Sequence, residues 1–309
     1  MAITAPTFDS TSWKQHVATL TTPSGEVIRI NYVDCPSSAA QKGTILLIHG
    51  FPQTSYQFRH VIAPLANAGY RVIAPDYRGA GQSSRPASGS YTKTTMASDL
   101  VALISYLGIT SRLHIVGHDI GGMIAHAYAS RNPSSVASIV WGECPLPGTS
   151  AYDADRTTHQ VAQFHFIFHS VLDLPEALVA GREAIYLKHF YDKNLYNSAA
   201  ITDAFEHYVL AYSQPGAMRA AFEVYRAFEK DAEENKEWVR KGKCKVPCMV
   251  LSGEMSRHKE AAESMAKEAY EDAAVEVATV EASGHYVAEE NPEGFAKIVL
   301  EFVAKHGDT

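Results

Sequence analysis

The 309-residue sequence has little of what marks disulfide-rich, membrane or nucleic-acid-binding proteins. Its four cysteines, at positions 35, 144, 244 and 248, are too few and too irregularly spaced for a disulfide framework. No apolar run approaches the roughly 18 residues that a membrane helix requires. The net charge is −7, and the lysines and arginines are scattered, so the sequence offers no basic stripe to a phosphate backbone. We therefore expect a cytoplasmic protein with no nucleic-acid partner and no membrane insertion.

The sequence does contain an ordinary globular composition, with 46% hydrophobic and 20% charged residues, 20 glycines and 14 prolines. This length suits one large α/β domain with an insertion, or two smaller domains. Cys244 and Cys248 lie close together in CKVPC, but no second Cys/His pair accompanies them as in a zinc site. The sequence therefore predicts no metal site, and it predicts no bound cofactor.

Short apolar runs rich in β-branched residues alternate along the chain with longer stretches of helical periodicity. Buried strands are predicted over residues 44–48, 70–74, 113–116, 136–141, 247–251 and 275–280. Helices are predicted over residues 56–68, 94–107, 121–130, 259–271 and 292–305. The alternation predicts a doubly wound, mostly parallel sheet, and residues 25–33 alternate in polarity like an antiparallel edge strand.

The alternation stops between residues 147 and 229, where the pattern is helical and rich in aromatic residues. We predict that this stretch is a helical cap inserted between two core strands. The predicted organisation is a core over residues 1–146, a cap over residues 147–229 and the rest of the core over residues 230–309. Most aromatic side chains of the cap are expected to pack it against the core.

Four motifs follow predicted strand ends, which is where open parallel sheets bind their ligands. They are HGFP at residues 49–52, GHDIGG at 117–122, GECPLPG at 142–148 and SGHY at 283–286. In GHDIGG the small residues suit a tight turn from strand to helix that pushes Asp119 into a cleft. An aspartate at this place could instead cap the helix by accepting backbone N–H bonds. The partners of Asp119 decide between the two interpretations.

An acid and a histidine follow Asp119 in the chain order of the α/β-hydrolase triad, which is nucleophile, acid, histidine. His285 follows the last predicted strand and is the candidate base. Glu143 and Glu254 are the candidate acids, since each follows a strand end. The usual hydrolase acid position falls near Ser256, and this departure favours Glu143. Glu254 is then expected to be a surface carboxylate or a helix cap.

Together, HGFPQTSYQFR, APDYRGAGQSSRP, VGHDIGGM and SGHY resemble the α/β-hydrolase superfamily, in its aspartate-nucleophile branch. The resemblance implies the α/β-hydrolase fold, an eight-stranded, mostly parallel, doubly wound sheet with a helical cap. The branch contains epoxide hydrolases, haloalkane dehalogenases and fluoroacetate dehalogenases, which share an alkyl-enzyme ester mechanism. In several of these dehalogenases the acid follows the fourth parallel strand, as Glu143 does here.

The resemblance implies a mechanism of two steps, in which Asp119 first attacks a saturated carbon and becomes an ester. Water activated by His285 then attacks the carbonyl carbon of that ester, while Glu143 holds the imidazole tautomer and stabilises the imidazolium. The backbone N–H groups of Phe51 and Ile120 are placed to stabilise the oxyanion, at about 3 kcal/mol for each donor.

The residue after the nucleophile separates the three families. Haloalkane dehalogenases typically carry a tryptophan there as a halide donor, and fluoroacetate dehalogenases carry an arginine that binds the substrate carboxylate. Ile120 offers neither group, which argues against both activities. HGFP instead fits the His-Gly-x-Pro of epoxide hydrolases, which predicts that His49 and Pro52 lie at the substrate. Tyr225, followed by arginine in FEVYRAF, resembles the second lid tyrosine, whose phenol gives a hydrogen bond to the epoxide oxygen.

The first lid tyrosine of the epoxide hydrolases is harder to find. His165, in QFHFIFH, falls at or next to the expected position, where a histidine could donate to the opening alkoxide or only pack inside the lid. Fluoroacetate dehalogenases also carry a histidine in this region, which keeps their activity open. The other candidates for the second donor are Tyr152, Tyr186 and Tyr191.

The cavity beneath the cap is expected to be apolar, which predicts an uncharged, partly hydrophobic small-molecule substrate. The predicted apolar lining includes Phe51, Ile120, Phe164 and Phe168. The predicted substrate-binding residues are His49, Pro52, His165, Phe166 and Phe168.

The leading hypothesis is an epoxide hydrolase, and the alternative is a haloalkane or haloacid dehalogenase that uses the same aspartate. A third hypothesis is a non-catalytic relative that binds a small apolar ligand. Such receptors usually have a damaged triad, whereas Asp119 and His285 are both present here. The oligomeric state is left open between monomer and homodimer.

Overall fold

An eight-stranded mixed sheet organises the protein. The computed structural model describes residues 8, 10–22, 25–86 and 89–307. The strands are β1 (Lys14–Thr21), β2 (Val27–Cys35), β3 (Gly43–Ile48), β4 (Tyr70–Pro75), β5 (Leu113–His118), β6 (Val136–Gly142), β7 (Cys248–Gly253) and β8 (Val275–Val280). Their order is β1-β2-β4-β3-β5-β6-β7-β8, in which β2 is antiparallel to both β1 and β4. The six strands β3 to β8 run parallel to one another.

Helices cover both faces of the sheet, as the doubly wound pattern requires. They are α1 (Ile62–Asn67), α2 (Lys93–Tyr106), α3 (Ile120–Arg131), α4 (Ser150–Thr157), α5 (Phe164–Ser170), α6 (Leu174–Val179), α7 (Glu183–Asn194), α8 (Phe205–Tyr212), α9 (Ala217–Arg226), α10 (Phe228–Arg240), α11 (Ala262–Ala269), α12 (Val287–Glu290) and α13 (Pro292–Lys305). Helices α1 and α13 enclose one hydrophobic core, and α2, α3 and α11 enclose a second core on the other face.

The predicted α/β-hydrolase fold is confirmed, and an observed strand corresponds to each predicted one. The predicted helix over residues 56–68 is divided into a 3₁₀ turn, Ser55–Phe58, and the short helix α1. The predicted helix over residues 259–271 likewise begins within a 3₁₀ segment, Arg257–Ala261, before α11. The polarity pattern does not indicate β1, because only Ala18 and Leu20 of this edge strand are buried.

Helices α4 to α10 lie between β6 and β7, where the sequence predicts the cap. The last of them, α10, returns to the core: Nε1 of Trp238 donates to the carbonyl of Ser130 at 2.8 Å. The boundaries of the cap at residues 147 and 229 stay a prediction, and the outermost residues of the predicted core lie outside the described ranges. Within those ranges, every helix is too short or too polar to cross a membrane.

The turn between β5 and α3 brings two backbones into close contact. Gly121 lies in the first turn of α3, where a Cβ atom would be 2.0 Å from the carbonyl oxygen of Ile48 in β3. A Cβ atom on Gly117 would likewise be 2.3 Å from the carbonyl oxygen of Gly121. These approaches require glycine, and they bring the N-terminus of α3 against the ends of β3 and β5.

Replacing Gly121 with alanine is expected to destabilise the protein by at least about 2 kcal/mol, because the new methyl group would overlap backbone atoms that cannot move aside. Chemical denaturation would measure the change in the free energy of unfolding. Gly307→Ala is the matched control, since a Cβ atom on Gly307 meets nothing within 4 Å. If Gly121→Ala were as stable as the wild type, the close backbone approach would be wrong.

Candidate active site

A cavity of about 220 Å³ lies at the carboxyl ends of the parallel strands, beneath the cap helices α5, α7, α9 and α10. Drug-sized ligands occupy pockets of roughly 300–1,000 Å³, so this cavity suits a smaller molecule. Its core side is lined by Phe51, Asp119, Ile120, Met123, Glu143, Pro145, Met255, Ser256, Arg257, His258, His285 and Tyr286. Its cap side is lined by Gln163, His165, Phe166, Phe190, Lys193, Asn194, Tyr225 and Phe228.

Asp119 stands between β5 and α3 with φ 55° and ψ −123°, a conformation that L residues rarely adopt. Its Oδ1 accepts a hydrogen bond from the backbone N–H of Phe51 at 2.9 Å. Burial raises the pKa of Asp119, while the nearby His285 and the N–H groups of Ile120 and Phe51 oppose that rise. The side chain makes no capping hydrogen bond to α3, which speaks against the helix-cap interpretation.

His285 and Glu143 are hydrogen-bonded to each other beside the cavity. Nδ1 of His285 lies 3.0 Å from Oε2 of Glu143, so Nδ1–H donates and Nε2 keeps its lone pair. Burial lowers the pKa of His285 to about 4, which leaves the imidazole neutral and able to accept a proton near pH 7. Burial raises the pKa of Glu143 to about 7, and hydrogen bonds from Ser256 and Gly253 oppose that rise.

Glu143, and not Glu254, reaches the histidine. Oε1 of Glu143 accepts from the N–H of Gly253 at 2.8 Å, and Oε2 accepts from the hydroxyl of Ser256 at 2.7 Å. Ser256 lies near the usual acid position of hydrolases. Here its hydroxyl donates to Glu143, the acid that follows the neighbouring strand β6. Glu254 is an exposed residue that accepts the backbone N–H of Ala282 at 2.9 Å.

His118, which directly precedes Asp119, holds the loop that carries His285. Its Nε2 lies 2.7 Å from the carbonyl oxygen of His285, and the two rings have centroids 4.8 Å apart. Burial lowers the pKa of His118 to about 3, so the neutral ring donates its Nε2–H to that carbonyl. The sequence motifs do not single out His118, although its place beside Asp119 is a signal for such a role.

Tyr225 and His165 reach the cavity from the cap, with ring centroids 5.5 Å apart. Tyr225 also packs edge to face on Phe51 at a centroid distance of 5.6 Å. Burial raises the pKa of Tyr225 well above its usual value, so its hydroxyl stays protonated. Burial lowers the pKa of His165 well below its usual value, so this ring is neutral and carries one N–H donor.

The other candidate tyrosines of the cap do not line the cavity. Tyr191 donates to the carbonyl of Pro52 at 3.1 Å, and the hydroxyl of Tyr186 lies 2.5 Å from Nε2 of His169. The hydroxyl of Tyr152 accepts a hydrogen bond from Nη1 of Arg156 at 3.4 Å. Of the candidates considered, His165 is therefore the one that shares the cavity with Tyr225.

His49 and Pro52 of the HGFP motif, which are predicted to bind substrate, do not line the cavity. His49 is fully buried, with its ring stacked on Tyr77 at a centroid distance of 4.1 Å. Pro52 presents its carbonyl to the hydroxyl of Tyr191. Both residues shape the loop that carries Phe51, and Phe51 itself lines the cavity.

On the cap side Phe166 lines the cavity, but Phe164 and Phe168 do not. Phe168 packs against Tyr186, with ring centroids 5.9 Å apart. All three phenylalanines belong to α5, on which residues two apart point to different faces. The run of aromatic residues therefore cannot by itself identify which of them faces the substrate.

The cavity is also more polar than the apolar residues of the motifs predict. The polar residues of its lining that the sequence does not reveal are Gln163, Lys193, Asn194, Arg257 and His258. The guanidinium of Arg257 makes two hydrogen bonds, of 2.7 and 2.8 Å, to the carboxylate of Asp155. The expected apolar lining is therefore only part of the wall, because these polar side chains are not among the residues that the motifs single out.

A group of possible metal ligands overlaps the same residues. Ligand atoms of Glu143, His258 and His285 lie within 4.8 Å of one another. The hydrogen bond between His285 and Glu143 already engages two of these three side chains. The pairing of an acid with a base therefore explains why Glu143 and His285 lie together.

Comparisons with known proteins agree with this fold. A model of the alpha/beta hydrolase fold matches residues 43–151. The soluble epoxide hydrolase of Corynebacterium sp. (strain C12) is 31% identical over 285 residues, which cover 89% of this chain and 94% of that protein. Epoxide hydrolase 3 of Xenopus tropicalis is 28% identical over 289 residues, which cover 89% of this chain and 75% of that protein.

Solved structures give the same result. The epoxide hydrolase CorEH, without ligand, superposes with a TM-score of 0.82 at 29% identity and covers 95% of this chain and 99% of its own. Cfl2 from Burkholderia cenocepacia superposes with a TM-score of 0.83 at 29% identity, covering 97% of this chain and 99% of its own. The fold and the site define an α/β hydrolase. Within that superfamily, the chain belongs to the family of the soluble epoxide hydrolases.

Glu143→Gln is expected to slow hydrolysis of an ester on Asp119 by about 10²-fold or more, because an amide can hold the wrong imidazole tautomer and cannot stabilise the imidazolium. Glu254→Gln is the matched control and should leave the rate unchanged. Single-turnover kinetics would measure the rate of this step in both variants. A loss confined to Glu254→Gln would reverse the assignment of the triad acid.

The hydrolysis step should also depend on pH with a defined sign. The mechanism that the resemblance implies requires neutral His285, whose pKa is about 4, and ionised Glu143, whose pKa is about 7. The rate is therefore expected to fall as the pH falls through this range. Titration of Tyr225 should add no alkaline limb near neutral pH, because burial raises the pKa of its phenol. A hydrolysis rate that stays constant as the pH falls from about 7 to about 4 would contradict this assignment.

Proposed function

We propose that the protein is an epoxide hydrolase that converts an epoxide to a vicinal diol through an ester on Asp119. The observation that carries the proposal is the convergence of Asp119, His285, Glu143 and Tyr225 on one cavity. A carboxylate nucleophile, a base held by an acid, and a neutral donor on the opposite wall are the groups that this reaction needs.

In the first step, the carboxylate of Asp119 attacks one epoxide carbon from the face opposite the ring oxygen. The carbon–oxygen bond of the ring breaks, and the oxygen takes a proton from the hydroxyl of Tyr225. His165 is the second donor, since its neutral ring shares the cavity with that hydroxyl. The hydrogen bond from Phe51 holds Oδ1 of Asp119 in place and leaves Oδ2 for the attack.

In the second step, Nε2 of His285 takes a proton from water, and the hydroxide attacks the carbonyl carbon of the ester. The N–H groups of Phe51 and Ile120 stabilise the oxyanion, at about 3 kcal/mol for each donor. Collapse of this intermediate breaks the bond from the carbonyl carbon to the alcohol oxygen, which takes the remaining proton of the added water. The diol is released, and the carboxylate of Asp119 is restored with one oxygen from water. The imidazolium returns its proton to the deprotonated Tyr225.

The substrate is a small epoxide whose reacting end is uncharged and partly hydrophobic. The volume of about 220 Å³ limits its size. Apolar side chains surround the nucleophile and the donors, and they form the wall for the reacting end: Phe51, Ile120, Met123, Phe166, Phe190 and Phe228. A compact aryl or alkyl epoxide such as styrene oxide is a suitable probe.

A haloalkane or haloacid dehalogenase is the second candidate, and His165 is the observation that favours it, because a histidine in the cap can also donate to a leaving halide. Ile120 argues against it, since it offers no side-chain donor beside Asp119. A screen of epoxides, haloalkanes and haloacids separates the two activities. Halide release without diol formation from any epoxide would establish the dehalogenase.

The proposed mechanism predicts that turnover of styrene oxide in heavy-oxygen water labels Asp119, because ester hydrolysis exchanges an oxygen of its carboxylate. Mass spectrometry of the digested protein would detect the label after repeated turnovers. His285→Gln should accumulate the ester instead. Diol formation without label on Asp119 would refute the ester mechanism. A biological activity that Asp119→Ala and His285→Ala leave unchanged would indicate a non-catalytic binding protein.

A further inference from the structure

A buried ion pair joins α2 of the core to the junction of α9 and α10, just after Tyr225. Nζ of Lys93 lies 2.6 Å from Oδ2 of Asp231, and both side chains are almost completely buried. Lys93 is the first residue of α2 in the core, and Asp231 lies in the first turn of α10. Because removing two charges from water costs several kcal/mol for each ion, a pair at this place calls for a structural reason.

Three helix ends meet at this pair. The backbone N–H of Lys93, at the start of α2, donates to Oδ1 of Asp231 at 2.7 Å. Nζ of Lys93 donates to the carbonyl of Val224, in the last turn of α9, at 2.8 Å. The carboxylate therefore lies at the N-termini of α2 and α10, and the ammonium group lies at the C-terminus of α9. Each charge has the sign that the helix ends favour.

The same ammonium group lies directly behind the wall of the cavity. Val224 immediately precedes Tyr225 in α9. Nζ of Lys93 is 4.6 Å from the centroid of the Phe228 ring, which lines the cavity and lies 4.9 Å from the ring of Tyr225. Lys93 thus touches both the helix turn that carries the phenol and the ring that packs against it.

We propose that Lys93 and Asp231 are positioning residues that set the place of the Tyr225 hydroxyl relative to Asp119. This inference rests on the proposed function, in which that hydroxyl protonates the opening epoxide. Asp119 belongs to the core and Tyr225 to the cap, so their separation depends on how the α9–α10 junction sits on the core. The ion pair fixes that junction to α2 before substrate binds, which is the pre-organisation that a donor requires.

The test removes the pair without leaving a lone buried charge. Lys93→Met/Asp231→Leu replaces both ions with apolar side chains, a change that buried pairs commonly tolerate without loss of folding. Lys93→Met alone leaves an unpaired buried carboxylate and serves as a check on folding. Lys230→Met is the matched control, since Lys230 neighbours Asp231 on α10 but is exposed and pairs with Glu233 at 3.0 Å.

With styrene oxide as the probe, single-turnover kinetics should show alkylation of Asp119 slowed roughly tenfold in the double variant, because a misplacement of about 1 Å can cost about 10²-fold. Ester hydrolysis should keep its rate, and Lys230→Met should match the wild type. In a Tyr225→Phe background the double variant should cause no further slowing, since the pair acts through the phenol hydroxyl. Equal slowing in both backgrounds, or no slowing in a folded double variant, would overturn the proposal.

Fluorine NMR of protein labelled with fluorotyrosine gives a readout that is independent of turnover. The resonance of residue 225 is assigned by its loss in Tyr225→Phe. It should shift or broaden in the double variant and stay unchanged in Lys230→Met, and an unchanged resonance in the double variant would overturn the proposal. Wild-type protein that forms no ester on Asp119 with any epoxide of the screen would refute the proposed function, while this readout still tests the positioning role.

Discussion

The negative charge of Asp119 in a cavity away from bulk water is the constraint on which the rest of the structure depends. Burial raises the pKa of this carboxyl group and so works against its ionised form. The N–H of Phe51, the N–H of Ile120 at the start of α3 and the imidazole of His285 all act in the opposite direction. The turn from β5 to α3 therefore provides electrostatic stabilisation and also directs the side chain into the cavity.

A second carboxylate, on the adjacent strand end, is also buried but has different partners. Glu143 follows β6 with φ 60°, as Asp119 follows β5 with φ 55°. Such backbone conformations cost about 1–3 kcal/mol each and persist only where the surrounding structure holds them. Glu143 is enclosed by the N–H of Gly253 and the hydroxyl of Ser256, and its remaining contact is His285. One acid is thus left open to substrate while the other is occupied by the base.

The sequence predicts the core side of this site well because strand ends impose a simple geometry. Asp119, Glu143 and His285 each follow a parallel strand, and parallel strands bring their carboxyl ends to one edge. Edge strand β1 escapes prediction because most of its side chains are exposed. Because Ser256 stands where an acid is usual, the sequence points to Glu143. The hydrogen bond from Ser256 to Glu143 is not predictable, because it forms only when β6 and β7 lie side by side.

The cap side is less predictable for a physical reason. Its position depends on side-chain packing between helices, and neighbouring aromatic residues of α5 point to different faces, so Phe166 lines the cavity and Phe168 does not. The polar residues Lys193 and Arg257 reach the cavity from α7 and from the 3₁₀ segment after β7, neither of which carries a motif. Only the arrangement of the cap on the core brings such residues together with the triad.

That arrangement bears on both halves of the proposed reaction. Tyr191 and Tyr212 of the cap donate to the carbonyls of Pro52 and Gln53, at 3.1 and 3.0 Å. These carbonyls belong to the loop that also carries the N–H of Phe51, the donor to Asp119. A shift of α7 or α8 would therefore disturb the proposed oxyanion donor, whereas the α9–α10 junction bears on the phenol of Tyr225. Each step of the proposed reaction thus depends on its own set of buried polar contacts between cap and core, because the groups that serve the two steps are held by different cap helices.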